Sequence, residues 1–156
     1  MNSIIRHENE GEQRWFYGGG VHVWKATSED TGGSLAVFED TLTRGKVTPV
    51  HRHPDSDEVV YVIAGELDLW VDGGEPRRVG PGAIVVNPRG VAHAFTVVSE
   101  TARLLLVLTP GVKVEEFYRH ASAPMDGDRP VDFRKIGEAA KATGATEILA
   151  PPPFRQ

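Results

Sequence analysis

What most constrains this chain is its punctuation. The 17 Gly and 11 Pro are spread along 156 residues rather than gathered in one tract. Turn signals recur about every 8 to 12 residues, with short apolar or alternating runs between them, and that spacing predicts an all-β sandwich or barrel. Strands are expected over 21–26, 34–43, 58–64, 66–71, 79–87, 91–98 and 104–108. In Glu66-Leu67-Asp68-Leu69-Trp70-Val71 the apolar positions alternate, and Asp72-Gly73-Gly74 is a hairpin signal. The continuous run Leu104 to Leu108 reads as a strand covered on both faces.

The reading is of one domain, 1–156, with a barrel over about 15–110 and a different kind of tail over 111–156. A short helix is expected over 114–120, a linker over 122–130, and a helix over 133–143 with Asp132 as N-cap and Gly144 as stop. The last segment, EILAPPPF, is expected to be extended. Near the other end, Trp15-Phe16-Tyr17 precedes three glycines. An aromatic knot of this kind reads first as a packing anchor, and second as a lid over a barrel mouth.

Composition narrows the function classes. A formal charge of −5 argues against nucleic acid or an anionic membrane as partner. With no Cys there is no thiolate site and no cysteine nucleophile, so histidine and carboxylate are the metal-binding vocabulary. MNSIIRHENEGEQ lacks an apolar core of signal-peptide length, and no apolar run approaches a membrane span. A cytoplasmic protein is the expectation.

Chemistry concentrates between Gly45 and Gly65, GKVTPVHRHPDSDEVVYVIAG. His51 and His53 are two apart and share a face if this piece is a strand. The PDSD run is turn chemistry, and it leads into a strand with Glu58 at its start. Two imidazoles and a carboxylate converging across a strand pair suit a divalent first-row metal. Asp57 is the rival carboxylate, although its place at the end of the turn favours the longer Glu58. His22, alone in its strand, and His120 read as packed or surface residues rather than ligands.

A second stretch, GAIVVNPRGVAH, spaces Gly82, Pro88, Gly90 and His93. Together the two stretches, G-x5-H-x-H-x4-E-x6-G and G-x5-P-x-G-x2-H, resemble the paired signature of the cupin family. All nine positions, Gly45, His51, His53, Glu58, Gly65, Gly82, Pro88, Gly90 and His93, are filled. Val97 stands where cupins often carry Asn, a position that is not usually a ligand. The resemblance implies a double-stranded β-helix, the cupin jelly-roll barrel, here with a short C-terminal helical extension. It also implies that His51, His53, Glu58 and His93 hold one divalent transition metal per chain. Fe, Mn, Ni, Co and Zn all stay open.

Beyond the motifs, SEDTGG at 28–33, PRGVAHAF at 88–95 and EILAPPPF at 147–154 make the chain similar to small bacterial monocupins related to quercetin 2,3-dioxygenase. That resemblance implies a dioxygenase acting on a flavonol-like or other enolic aromatic molecule. Glu58 would be both ligand and proton acceptor, and O2 would open the heterocycle with loss of carbon monoxide. A cupin cyclase, isomerase or epimerase, and a non-catalytic small-molecule binder, are the competing classes. Strand parity puts Val60 and Val62 with Glu58, and Phe95 and Val97 with His93, as an apolar substrate pocket. No Lys or Arg is in phase with the ligands. Val59, Tyr61 and Ile63 on the opposite face need cover, which predicts a homodimer.

Overall fold

The computed structural model describes residues 1–126 and 130–154. Its strands are β1 (Gln13–Phe16), β2 (Val21–Ala26), β3 (Ala36–Thr43), β4 (Val50–Arg52), β5 (Asp57–Ala64), β6 (Leu67–Val71), β7 (Arg77–Val79), β8 (Ile84–Asn87), β9 (His93–Val97) and β10 (Thr101–Thr109). Helix α1 (Val112–His120) is followed by β11 (Ser122–Pro124), α2 (Phe133–Thr143) and β12 (Glu147–Ala150). All strand pairs are antiparallel, and they form two sheets. One has the order β11-β1-β2-β3-β10-β5-β8, the other β12-β4-β9-β6-β7. This is the expected jelly-roll barrel, with helices confined to the C-terminal part.

Alternation builds the interior. Ala36, Phe38, Asp40 and Leu42 of β3 are buried, as are Leu104, Leu106 and Leu108 of β10. Glu58, Val60 and Val62 of β5 point the same way. With Trp24 and Leu67 these side chains fill the space between the sheets. The outer positions Leu105 and Val107 are only half-buried, so β10 is covered more fully on one face than on the other.

Two expectations need correction. The run 79–87 is not one strand. Arg77–Val79 lies in the smaller sheet and Ile84–Asn87 in the larger, and the Gly80-Pro81-Gly82 turn between them carries the chain across. Nor does the barrel end near Thr109. The tail adds a strand to each sheet: β11 pairs with β1 (Trp15↔Ala123), and β12 pairs with β4 (Ile148↔His51).

The helices are as the tail's local signals predict. Asp132 caps α2 by accepting from the backbone N–H of Arg134 and Lys135, at 3.1 and 3.4 Å. Gly144 ends it with a left-handed φ of 65°. Of the linker expected over 122–130, residues 122–124 are β11, and 127–129 lie outside the described residues. No helix among the described residues is long and apolar enough to cross a membrane.

Candidate metal centre

Two strands bring the histidines together. His51 on β4 and His93 on β9 are direct cross-strand partners, and His53 follows just after β4 on the same face. The ring centroids of His51 and His93 are 4.3 Å apart, and those of His53 lie 5.4 and 5.6 Å from them. One nitrogen from each ring falls within 4.8 Å of the others. Glu58 enters from β5 of the opposite sheet. Its Oε2 is 3.2 Å from Nε2 of His53, and its Oε1 is 3.3 Å from Nε2 of His93.

The imidazoles are oriented from behind. Nδ1 of His51 donates to the carbonyl of Pro49 at 2.9 Å, and Nδ1 of His93 to that of Val91 at 3.0 Å. For His53, Nδ1 meets the carbonyl of Ala145 at 3.3 Å and Oγ1 of Thr146 at 3.1 Å. A proton on Nδ1 leaves Nε2 as the free lone pair in each ring, the arrangement found behind metal-bound histidines. Glu58 is steadied by Nδ2 of Asn87, 3.0 Å from Oε1.

Close approach without hydrogen bonding marks the centre. Nε2 of His53 and Nε2 of His93 are buried and have no hydrogen-bond partner, despite lying so near the Glu58 oxygens. Buried lone pairs aimed at one another are unfavourable unless something electrophilic sits between them. A divalent cation fits this donor set: three neutral nitrogens, one carboxylate and no sulfur.

Electrostatics favour the ligand forms of His51, as a neutral ring, and Glu58, as a carboxylate. Burial, then the neighbouring His93 and His53, push His51 down to about 3, so it stays neutral. Burial also opposes charge on Glu58, but the imidazoles of His93 and His53 more than reverse this and hold its carboxyl well below the usual range. His93 differs: burial lowers it, but Glu58 outweighs this and raises it, so an ion would have to displace the proton that Glu58 favours on that ring. Burial among apolar side chains would by itself draw the Glu58 carboxyl upward. The imidazoles of His53 and His93, 3.2 and 3.3 Å from its oxygens, decide otherwise.

Asp57 is turned away from this cluster. Its carboxylate accepts from the backbone N–H of Arg89 at 2.8 Å and from Nη2 at 2.9 Å, tying the start of β5 to the Pro88-Arg89-Gly90 turn. Gly90, at φ 80°, donates its N–H to the His53 carbonyl, so that turn also grips the second histidine. His120 lies at the end of α1 and outside the cluster.

A cavity of about 60 Å³ opens beside the cluster, and His51, Glu58 and His93 are part of its wall. Of the four residues expected to line a pocket, Phe95 does. Val60, Val62 and Val97 instead are at most 5% exposed and belong to the packed core. Parity placed them facing inward correctly, but the barrel below the cluster is filled by its own side chains. The cavity therefore lies toward β1–β3 and the helices, with Phe16, Leu106, Phe117 and Tyr118 as apolar walls. Phe133 of α2 and Ile148 of β12 are 48% and 41% exposed and border the same space. The aromatic knot thus contributes Phe16 to a wall within its own subunit.

Sequence reasoning missed several of these groups. Asn87, Ala145 and Thr146 support ligands from far along the chain. His22, Asp40 and Lys46 also line the cavity. Asp40 had a legible signal, since it shares the phase of Ala36 and Phe38 on a strand whose inner face is otherwise apolar.

Residues 38–109 match the family model described as a cupin domain. Quercetin 2,3-dioxygenase of Bacillus subtilis (strain 168) is 27% identical over 123 residues, 79% of this chain and 36% of that protein. Dimethylsulfoniopropionate lyase DddQ of Ruegeria pomeroyi is 39% identical over 61 residues, 39% of this chain and 30% of that protein. The chain thus spans about a third of the length of either enzyme. Among solved structures, an RmlC-like cupin from Shewanella frigidimarina superposes with a TM-score of 0.63 at 19% identity, covering 73% of this chain and 96% of that one.

Proposed function

Because this chain belongs to the cupin superfamily, we propose that it is a metal-dependent enzyme acting on a small enolic molecule, with oxygenative ring cleavage as the reaction. The observation that carries this reading is Glu58. It is a buried carboxylate held among three imidazoles, and it opens onto a cavity with largely apolar walls. His51, His53, Glu58 and His93 would hold the ion. Such an ion supplies an electrophile for an enolic oxygen and, if redox-active, a route to dioxygen.

The protein's part is to place and deprotonate the substrate. Asn87 steadies Oε1 of Glu58, and the carboxylate keeps lone pairs able to accept an enolic proton. Phe95, Leu106 and Phe117 limit water around the nascent anion. At about 60 Å³ the cavity is well below the roughly 300 Å³ of a pocket that engulfs a drug-sized ligand. A two-ring substrate therefore enters only if Phe133 and Ile148 swing outward, whereas a single ring needs less movement.

A second reading has support of its own. A 61-residue stretch is 39% identical to a lyase, and the base of this chain sits beside its ion site, which is what proton abstraction and elimination without O2 require. Oxygen uptake separates the two. Protein loaded separately with Fe, Mn, Ni, Co and Zn is supplied with a panel of enolic compounds in an oxygen electrode. Stoichiometric oxygen consumption supports the dioxygenase. Substrate loss under anaerobic conditions assigns the chain to the elimination or isomerisation class. Tight binding with no turnover in either arm makes it a binding protein.

A further inference from the structure

The cavity has a second set of polar groups. His22 on β2 and Asp40 on β3 are direct partners in the larger sheet, and both side chains point inward beside Trp24, Phe38 and Leu42. Nε2 of His22 lies 3.4 Å from Oδ1 of Asp40. The imidazole is stacked between Phe16 and Phe38, with centroids at 4.7 and 4.4 Å. Lys46 extends over Phe16, with Nζ 4.8 Å from the ring centre, and donates to the carbonyl of Gly18.

These groups are not self-sufficient. His22 and Asp40 are 1% and 5% exposed, yet Nδ1 of His22 and Oδ1 of Asp40 have no hydrogen-bond partner. A buried acceptor left unpaired costs about as much as a lost hydrogen bond, so a purely structural cluster would be expected to close its bonds internally. The Lys46 ammonium carries three N–H donors, and Gly18 uses one. Burial raises the Asp40 carboxyl and lowers the Lys46 ammonium, each opposed by the other's charge. The free acceptor and the spare donors border one space, together with His51, Glu58 and His93.

We propose that Asp40 and Lys46, backed by His22, form a second substrate subsite that takes a hydroxyl group, which donates to Oδ1 of Asp40 and accepts from Nζ of Lys46. The assignment rests on the enolic-substrate reading and adds a second requirement to it. The substrate carries an enolic oxygen at one end and a hydroxyl at the other, joined by an apolar body. Sheet register sets the scale. Asp40 pairs with Leu104 of β10, and Glu58 pairs with Leu108 on its other side. Two strand spacings and four residues put their α-carbons roughly 16 Å apart, a gap that two side chains and one or two rings span. Leu106, between them, forms the floor.

Matched ligands test this on zinc-loaded protein, in which no redox turnover interferes. Allomaltol and kojic acid share one enolic pyranone ring, and only kojic acid carries the distal hydroxyl. 3-Hydroxyflavone and 3,4′-dihydroxyflavone repeat the comparison at greater length. Calorimetric titration of the wild type is expected to show, in at least one pair, about tenfold tighter binding of the hydroxylated member, the scale of a hydrogen bond to a charged group. Asp40→Leu and Lys46→Met should each bring that pair within about twofold. Zinc content should stay unchanged. Lys46 lies on a loop, so Lys46→Met carries the test if Asp40→Leu fails to fold. No hydroxyl gain in either pair, or a gain that survives the substitutions, overturns the subsite. If neither parent compound binds, the enolic reading itself falls and takes the subsite with it.

Discussion

Glu58 and Asn87 face each other across β5 and β8, and the Asn87 amide donates to the carboxylate of Glu58 at 3.0 Å. This bond anchors Oε1 of Glu58, while Oε2 faces Nε2 of His53 at 3.2 Å. Replacing Asn87 with Ala leaves the carboxylate unanchored in a buried site. Affinity for zinc, measured by chelator competition, is expected to fall by roughly 10- to 100-fold, the usual scale for a group that orients a ligand.

The histidines should differ from their surface counterpart. His51→Ala and His53→Ala each delete one nitrogen from a site with no Cys to substitute, and most of the bound metal should be lost. His120→Ala, outside the cluster, should retain the wild-type content. Elemental analysis of protein purified without added metal decides it. Equal content in all three variants would remove the ligand assignment.

Glu58→Gln separates holding the metal from taking the proton. The amide keeps one donor oxygen and the size, but loses the basic one. A measurable share of metal should remain, while turnover of an accepted substrate drops by roughly 10²-fold or more. Near wild-type turnover in fully metallated Glu58→Gln would mean that the proton leaves by another route.

Asp30 makes the N-terminal arm acid-sensitive. It accepts from Nη1 of Arg6 at 2.9 Å and from the backbone N–H of Thr27 at 2.9 Å, and these bonds lower its pKa from 3.8 to about 2. A depressed folded-state pKa contributes stability that is present above 3.8 and is lost as pH falls toward about 2. Asp30→Asn should therefore lower Tm by about 2 °C near neutrality, the modest scale of an exposed pair. That difference should vanish when thermal melts are repeated near pH 2.

We propose that the outer face of β5 and β8 joins two copies of the chain. Tyr61 pairs with Ile84 and Val59 with Val86. Tyr61, Ile84 and Val86 are 42%, 64% and 57% exposed on the edge of the larger sheet. An apolar edge strand is a ready surface for association. Light scattering should give the mass of a dimer for the wild type and of a monomer for Ile84→Lys combined with Val86→Glu. A wild-type monomer at every concentration would sink the idea.

Much of this protein is readable from its sequence, because the relevant signals are local. Side-chain alternation in strands, turn residues at short spacing and the Asp132 and Gly144 helix boundaries depend on neighbours a few residues away. The spacing of His51, His53 and Glu58 belongs to this class, and so does the inward phase of Val60 and Val97, whereas His93 was legible as a fourth ligand only through the resemblance to the cupin signature. What only the tertiary structure decided are the relations between distant segments. Strand pairing sends Asp57 to Arg89 and Glu58 to Asn87, although the two acids are adjacent in the chain. The C-terminal segment adds β12 beside β4 and sets Ala145 and Thr146 behind His53, which no local pattern in the tail announces. Register across β2, β3, β10 and β5 brings His22 and Asp40 to a cavity that Val60 and Val62 do not reach. Periodicity tells which face a side chain takes. Whether that face meets packed core or open space depends on how far apart the sheets stand and what fills the gap.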